Sequence, residues 1–344
     1  MTRRRPLADG VPSAEDLRSA AAVVAHRLQP TPTERNEALS RRYAREVYVK
    51  LENCSPIRSF KVRGALAALA TFETGDRDRG VVTASTGNHG QGIAYAARSF
   101  GMRAVIAVPN DTDPVKVRAM EYLGARLLEG GESLAECESV AQLHGKATGA
   151  RYIEDGDDRW LMAGAATVVG ELLAAAPDVD TIVVPVGGGN LAAASLLAVD
   201  LAGHRATVVG VQSSAATATT RSWLEGRMLT LPCATFAGGL ATGRPGQASL
   251  AVLDAMLERM VVVDDDDLWQ AIACAYGAVG LPVEGAAAAG IAALERFNEL
   301  IPGGSLAIVV SGGRIGAADL AAALEGRPRQ ELTPSRERDP AEPT

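Results

Sequence analysis

One lysine lies where its amine could do covalent chemistry. Lys61 follows Ser59 and Phe60 and precedes Val-Arg-Gly-Ala at 62–65, a pattern that predicts the start of a helix. A helix N-terminus disfavours a cation, so this position favours the neutral amine that a lysine needs to form a Schiff base. A lone lysine is more often an ordinary surface residue, so its meaning depends on what else the fold brings beside it.

Three further segments combine glycine with polar side chains, each directly after a predicted strand. They are Ser-Thr-Gly-Asn-His-Gly at 85–90, Gly-Gly-Gly-Asn-Leu at 187–191 and Ser-Gly-Gly at 311–313. Ligands of open parallel sheets bind at the carboxyl ends of the strands, so we expect these segments to converge. Backbone N–H groups of the first two can cradle a carboxylate or a phosphate, and the Ser311 hydroxyl suits a ring nitrogen. Each segment also has an ordinary structural explanation when taken alone. The first could be a turn without function, the second a turn required by packing, and the third a helix N-cap.

Short β-rich runs alternate with alanine-rich helical patterns along the chain. Predicted strands are 46–51, 80–84, 104–109, 181–186, 207–212, 259–263 and 305–311. Predicted helices include 61–72, 91–100, 114–123, 133–144, 160–175 and 268–280. Several of these strands are nearly continuous apolar runs, as in parallel sheets that are buried on both faces. The sequence therefore predicts an α/β protein, and its 344 residues suit about two domains.

The composition argues against several functional classes. The net charge is −7, and no basic stripe interleaved with aromatic residues appears, so we predict no nucleic-acid partner. No apolar run reaches the roughly 18 residues that span a bilayer, which predicts no membrane association. The four cysteines lack CxxC spacing and fit reduced thiols of a cytoplasmic protein. The acidic run at 264–267 predicts a helix N-terminus rather than a metal site.

The order of the four segments resembles that of the fold-type II pyridoxal-phosphate enzymes, specifically the threonine dehydratase and serine racemase family. The resemblance runs from about Gln29 to Leu324. It includes Thr-Pro-Thr at 31–33, Lys-Leu-Glu-Asn at 50–53, Gly-Val-Gln at 210–212, Gly-Leu-Ala-Thr-Gly-Arg-Pro-Gly at 239–246 and Glu-Gly-Ala-Ala at 284–287. It implies pyridoxal 5'-phosphate as cofactor and a tryptophan synthase β-like fold. That fold has two open, twisted, mainly parallel sheets flanked by helices.

The resemblance also assigns residues to the cofactor. Lys61 is the expected Schiff-base lysine, Phe60 packs beside the cofactor and Asn88 bonds its phenolic oxygen. Ser311 faces the pyridine nitrogen and Glu284 lies near the ring. The phosphate is bound through backbone N–H groups of five consecutive residues, Gly187, Gly188, Gly189, Asn190 and Leu191.

On the substrate side, the resemblance implies a small amino acid held by the segment that follows the strand 80–84. Its α-carboxylate is expected against Ser85, Thr86, Gly87, Asn88 and His89. Besides Lys61, the catalytic candidates are Ser85 and Thr86. Thr86 stands where serine racemases carry a serine, on the face of the cofactor opposite the lysine.

A division of the chain follows from the same resemblance. Residues 1–79 and 155–325 are expected to form a large cofactor-binding domain, and 80–154 a smaller mobile domain. The reason is that the 85–89 segment must close on the substrate while the phosphate loop stays fixed. Residues 326–344 lack apolar periodicity and predict a disordered tail. A homodimer in the cytoplasm is expected.

Elimination at the β-carbon is the chemistry that these residues favour. A positioned Lys61 amine removes the Cα proton, and a serine opposite the ring nitrogen leaves the ring neutral and a weak electron sink. A β-hydroxyl then departs, so threonine, serine or hydroxyaspartate would give a 2-oxo acid and ammonia. The alternatives are β-replacement, racemisation, a related dehydratase of the ectoine-breakdown type, and a phosphate- or nucleotide-binding module without chemistry.

Some positions depart from the family pattern. Asn190 replaces a fourth glycine of the phosphate loop, and an asparagine tolerates a left-handed backbone better than most residues. Gln212 and Ala218 stand where a glutamate and an aspartate bind a divalent cation in the serine racemase branch. Because hard cations require charged oxygen ligands, we predict no metal at this segment. Gly238 replaces an aspartate that often precedes Gly239.

Overall fold

The computed structural model describes residues 10–329. Ten strands lie in the described part: β1 Thr33–Arg35, β2 Glu46–Leu51, β3 Val81–Ala84, β4 Ala104–Val108, β5 Arg126–Glu129, β6 Arg151–Tyr152, β7 Thr181–Pro185, β8 Thr207–Ser213, β9 Arg259–Val263 and β10 Ser305–Val310. Its α-helices are α1 Ala14–Arg27, α2 Glu37–Tyr43, α3 Lys61–Ala70, α4 Thr74–Arg79, α5 Asn88–Ser99, α6 Pro114–Tyr122, α7 Leu134–Thr148, α8 Arg159–Ala175, α9 Asn190–Leu201, α10 Ala218–Glu225, α11 Gln247–Met256, α12 Asp265–Val279, α13 Ala289–Phe297 and α14 Ala317–Leu324.

The strands form two sheets. Six strands run in the order β1-β2-β10-β7-β8-β9 and four in the order β5-β4-β3-β6. All pairings are parallel except that of β1 with β2. β7 and β10 are buried along their whole length, as the apolar runs predict for central strands covered on both faces. The predicted α/β class with two mainly parallel sheets is confirmed.

All seven strands predicted from the sequence are present, with ends within one residue. The sequence missed β1, β5 and β6, which have two to four residues. Each lies at the edge of its sheet and is partly exposed, so none carries the apolar run that identifies a buried strand. The predicted helix 133–144 extends to Thr148, where Gly149 in the left-handed region ends it.

Helix α3 makes backbone contact with two neighbouring helices. A Cβ at Gly64 would lie 2.6 Å from the carbonyl oxygen of Leu161 in α8, and one at Gly164 would lie 2.4 Å from the carbonyl oxygen of Arg63. On another side, a Cβ at Gly92 of α5 would lie 2.9 Å from the carbonyl oxygen of Lys61. Only glycine permits such close approach. The first turn of α3, which carries Lys61, is therefore fixed from two sides.

A buried ionic network ties α3 to the large sheet. Arg63 is fully buried and donates to Glu52 (2.8 and 2.9 Å) and to Glu171 of α8 (2.6 and 2.7 Å). Lys50, also fully buried, donates to Glu171 at 2.6 Å. The charges of these two cations and two carboxylates cancel. Thr31 completes the network by donating to Glu52 at 2.6 Å. The motifs at 31–33 and 50–53 thus have a structural role.

The predicted tail starts at residue 326. Its first four residues are described: Trp269 donates its indole N–H to the carbonyl of Arg327 at 2.8 Å, and the Arg329 guanidinium lies 4.7 Å from the centre of the Phe236 ring. Residues 330–344 lie outside the described residues, as do 1–9. Among the helices of residues 10–329, none has the length and apolarity to cross a membrane.

Replacing Arg63 by methionine should destabilise the fold strongly. The change leaves Glu52 buried without its cation, which costs about 3–5 kcal/mol of unfolding free energy. Denaturant unfolding measures this loss. Arg221→Met is the matched control, because it breaks an exposed pair with Glu225 and should cost less than about 1 kcal/mol. Equal losses in the two variants would contradict the role assigned to the network.

Candidate active site

The lysine segment and the last glycine segment are neighbours. The Phe60 N–H donates to the carbonyl of Ser311 at 3.1 Å, and Ser59 forms a β-bridge with Gly312. This bridge places the start of α3 at the carboxyl end of β10. The Ser311 side chain is buried, and its hydroxyl makes no hydrogen bond to any residue in the described part of the chain.

Lys61 lines a small cavity beside Asn190, the residue that follows the glycine loop. Phe60, Asp155 and Asn190 are among the residues that line it. Lys61 Nζ lies 2.5 Å from Asp155 Oδ1, and a quarter of the lysine side chain is exposed. The sequence alone did not single out Asp155. The signal for it was the acidic stretch just after β6, at the carboxyl end of a strand.

His89 turns its ring away from the cleft. Its Nε2 lies 2.9 Å from Thr83 Oγ1, which in turn donates to the carbonyl of Ile153, and its Nδ1 lies 3.5 Å from Asp155. Burial lowers the pKa of His89. Burial alone would raise the pKa of Asp155, but the charges of His89 and Lys61 outweigh it and hold that pKa at about 2. What His89 can offer a substrate is its backbone N–H at the start of α5.

In the glycine loop after β7, hydrogen bonds from neighbouring residues hold the carbonyl groups. The Gly187 carbonyl accepts from Thr219 Oγ1 at 2.6 Å and from Gln212 Nε2 at 3.3 Å, and the Gly188 carbonyl accepts from the Gly246 N–H at 3.0 Å. Within residues 10–329, no acceptor takes the N–H groups of Gly187, Gly188 or Gly189. These N–H groups adjoin the N-terminus of α9. The loop is a ready cradle for a phosphate.

Asn190 does not need the tolerance for left-handed backbone that the sequence analysis invoked. The left-handed residue of the loop is Gly189, at φ +97°, and Asn190 is the first residue of α9 with an ordinary helical backbone. A glycine is therefore required at 189 but not at 190. The Asn190 side chain points to the carbonyl of Gly156 at 3.5 Å.

The segment after β3 is also shaped for an anion. The buried Ser85 hydroxyl oxygen accepts from the N–H groups of Gly87 (3.0 Å) and Gly90 (2.9 Å), so its oxygen holds the turn together. Thr86 is exposed, and its hydroxyl bonds to no residue in the described part. The N–H groups of the first turn of α5 start at Asn88. This turn can bind a carboxylate.

Asn88 connects the two sheets across the cleft. Its Nδ2 donates to Glu284 Oε1 at 2.9 Å, and Glu284 Oε2 accepts from the Arg314 N–H at 3.1 Å. Burial raises the pKa of Glu284 to about 7, although these hydrogen bonds and the charge of Lys116 act in the opposite direction. A carboxyl group that is half-protonated at neutral pH therefore lies beside Asn88.

The chain has only four lysines, which narrows the choice of a Schiff-base residue. Lys50 is fully buried in the ionic network, and Lys146 is exposed on α7. Lys116 lies on α6, at the edge of the cleft. Of the four, Lys61 alone lines the cavity that Asn190, next to the glycine loop, also lines.

The site fits a phosphorylated pyridine aldehyde. The glycine loop offers free N–H groups to a phosphate, Lys61 offers an amine, and Ser311 offers an unpartnered hydroxyl. Asn88 supplies a donor that a phenolic oxygen can use. With the two parallel sheets, these features define a fold-type II pyridoxal-phosphate enzyme.

Comparison with known proteins supports this class of enzyme. The family described as pyridoxal-phosphate dependent enzyme matches residues 24–312, and the chain belongs to it. An L-threonine ammonia-lyase of Thermotoga maritima is 33% identical over 303 residues, which are 88% of this chain and 75% of that protein. The structure of maize serine racemase superposes with a TM-score of 0.87 at 26% identity, covering 94% of this chain and 99% of that one. The processed form of threonine deaminase isoform 2 from Solanum lycopersicum gives 0.84 at 26% identity, covering 94% and 96%.

The predicted family, cofactor and type of activity are confirmed. The protein is a pyridoxal-phosphate-dependent ammonia-lyase, and β-elimination is its chemistry. The individual residue roles and the domain division stay predictions. Of the predicted site residues, Phe60, Lys61 and Asn190 line one cavity, and Asn88 is hydrogen-bonded to Glu284.

The segment suspected of having lost a metal site is occupied by hydrogen bonds. Gln212 is fully buried, and its Oε1 accepts from the N–H (2.8 Å) and hydroxyl (2.6 Å) of Thr220. In the acidic run, Asp264 and Asp267 cap α12, and Asp265 accepts from Ser213 Oγ at 2.6 Å. No group of three or more His, Cys, Asp or Glu side chains suited to a metal occurs within residues 10–329.

Glu284 should give the cofactor-free protein a measurable pH dependence. Its pKa is 4.5 in the unfolded reference and about 7 in the fold. Between these two pH values the folded protein keeps a proton that the unfolded chain has released. The free energy of unfolding therefore falls as the pH rises from about 4.5 to 7, and it is constant above that range. Glu284→Gln removes this titration.

Thermal midpoints of the cofactor-free protein between pH 4 and 8 provide the measurement. The midpoint of the wild type, relative to that of Glu284→Gln, should decline with pH. Glu129→Gln, at an exposed carboxylate, is the control and should run parallel to the wild type. Parallel curves for all three proteins would show that Glu284 has no raised pKa.

Proposed function

We propose that this protein converts a β-hydroxy amino acid to a 2-oxo acid and ammonia, with Lys61 as both the Schiff-base lysine and the proton acceptor. The observation that supports the proposal is the position of Lys61, which lines a small cavity together with Asn190, the residue that follows the three glycines after β7. The threonine ammonia-lyases among its relatives support a substrate with a β-hydroxyl group.

Bound in this site, pyridoxal phosphate supplies an electron-withdrawing ring conjugated to the substrate Cα. Lys61 would hold the cofactor, and its amine, when free, would remove the substrate Cα proton as a positioned base. Asp155, 2.5 Å from Nζ, holds that amine at the cavity. The proton then passes from Nζ to the departing β-hydroxyl, which leaves as water. The released enamine hydrolyses to the 2-oxo acid and ammonia.

Ser311 favours elimination over other outcomes. Ser311 would offer the ring nitrogen a hydroxyl, which can share a hydrogen bond but supplies no negative charge, so the bound ring would be a modest electron sink. A modest sink would favour loss of a β-leaving group over slower outcomes. Racemisation is the second candidate, because the exposed Thr86 has a hydroxyl free of partners within the described residues, and maize serine racemase shares the fold.

The substrate is proposed to be bound by closure of one sheet on the other. The 85–89 segment follows β3 of the four-stranded sheet, whereas the glycine loop follows β7 of the six-stranded sheet. Residues 80–154 would form the mobile domain, and 1–79 with 155–325 the fixed one. We further propose that the protein acts in the cytoplasm as a homodimer, with no nucleic-acid or membrane partner.

Lys61→Ala should abolish turnover and the visible Schiff-base absorbance of the holoenzyme. The physical reason is that no other amine reaches the cavity beside the glycine loop. Turnover is measured as 2-oxo acid formed from serine, threonine and 3-hydroxyaspartate. Lys146→Ala, at an exposed lysine, should retain both properties. A yellow, active Lys61→Ala enzyme would refute the assignment.

Activity should not depend on a divalent cation. The oxygen of Gln212 is neutral and already accepts two hydrogen bonds from Thr220, so it is a poor ligand for a hard cation. Dialysis against EDTA, followed by addition of magnesium or calcium, should leave the rate of 2-oxo acid formation unchanged. Loss of activity in EDTA that magnesium restores would overturn this expectation.

A further inference from the structure

One wall of the cleft is a loop without side chains. A Cβ at Gly187 of the phosphate loop would lie 2.6 Å from the carbonyl oxygen of Gly239, and one at Gly239 would lie 3.7 Å from Glu284 Oε1. The loop at 238–239 therefore lies between the glycine loop and Glu284. Gly238 is exposed.

Lys116 spans the cleft towards this wall. Its stem passes the substrate-side turn, because a Cβ at Gly87 would lie 3.6 Å from Lys116 Cδ. The nearest atom that a Cβ at Gly238 would meet is Lys116 Nζ, at 4.0 Å. The lysine thus starts from α6, beside the four-stranded sheet, and its ammonium ends against a loop of the large sheet.

The ammonium of Lys116 has no carboxylate partner among residues 10–329. The nearby Asp113 is engaged as the N-cap of α6, where it accepts from the Val115 N–H at 2.8 Å. Lys116 is half-buried, and its charge reaches the site, where it lowers the pKa of Glu284 against the larger effect of burial. A partly desolvated cation without a partner attracts an anion more strongly than one in water.

Two anions of a substrate could use this cation. The α-carboxylate already has the N–H groups at the start of α5, under the function proposed above. A second carboxylate would need a cation of its own, and Lys116 Nζ, 4.0 Å from the position of a Cβ at Gly238, lies across the cleft from that turn. We propose that Lys116 is a specificity-determining residue that binds this second carboxylate. The substrate class would then be a dicarboxylic β-hydroxy amino acid, of which 3-hydroxyaspartate is the simplest.

The inference rests on the proposed function, and substrate pairs that differ by one carboxylate test it. Holoenzyme is assayed with 3-hydroxyaspartate (both diastereomers) and with serine. Wild type should prefer 3-hydroxyaspartate. Lys116→Met should lower kcat/KM for 3-hydroxyaspartate about ten- to a hundredfold, as expected for loss of a hydrogen bond to a charged group, and change that for serine less than about threefold. Arg118→Met removes an exposed charge from the same helix and should change neither.

A second pair of variants, at Gly238, tests the same role of Lys116 from the other side of the cleft. Gly238 has no left-handed backbone, so it accepts an aspartate without strain, and that carboxylate would reach Lys116 Nζ. Gly238→Asp should therefore reproduce the selective loss for 3-hydroxyaspartate. Gly238→Asn has the same shape without the charge and should lose less than about threefold.

Binding without turnover gives an independent readout. L-aspartate and L-alanine lack a β-hydroxyl and differ by one carboxylate, and their dissociation constants follow from the cofactor absorbance of the holoenzyme. Lys116→Met should weaken aspartate about tenfold or more and leave alanine unchanged.

Equal losses for both members of either pair would place Lys116 at the α-carboxylate and overturn the inference, as would a wild type that prefers serine. If no β-hydroxy amino acid yields a 2-oxo acid, the proposed function fails instead. The aspartate and alanine titrations then still decide whether Lys116 binds a second carboxylate.

Discussion

The backbone contact between α3 and its two neighbouring helices is the constraint on which the site depends. Gly64 and Gly164 bring α3 against α8, and Gly92 brings α5 against the carbonyl of Lys61. No side chain lies between these backbones to take up a shift. The buried pairing of Arg63 with Glu52 and Glu171 then fixes the rotation of α3 about its own axis. The backbone of Lys61 is consequently held in place.

The same contact joins the two sheets at the cleft. Helix α5 follows β3 of the four-stranded sheet, and α3 precedes that sheet while resting on α8 of the larger one. Its N-terminus is held at the end of β10 by the bridge between Ser59 and Gly312. The phosphate cradle thus belongs to the large sheet and the carboxylate turn to the small one. Lys61 lies between them, where a cofactor and a substrate must meet.

The sequence predicted the parts of the site that depend on backbone chemistry. Glycine runs after buried strands mark loops with free N–H groups, and the strand-end rule brings them together without knowledge of side-chain packing. Asp155 escaped because its role comes from a contact with Lys61 across 94 residues of sequence, which no local pattern encodes. His89 was expected to line the substrate carboxylate site, but no local pattern encodes the contact of its ring with Thr83. Likewise, the sequence placed the unusual backbone at Asn190, whereas the turn requires it one residue earlier, at Gly189.

Because the chain has only four lysines, a single labelling experiment can test whether Lys61 alone holds the cofactor. Reduction of the holoenzyme with borohydride fixes the Schiff base, and peptide mapping by mass spectrometry then locates the pyridoxyl group among four lysines. The account predicts the whole label on Lys61, because only this amine is held in the cavity beside the glycine loop. A label on Lys50, Lys116 or Lys146 would contradict it.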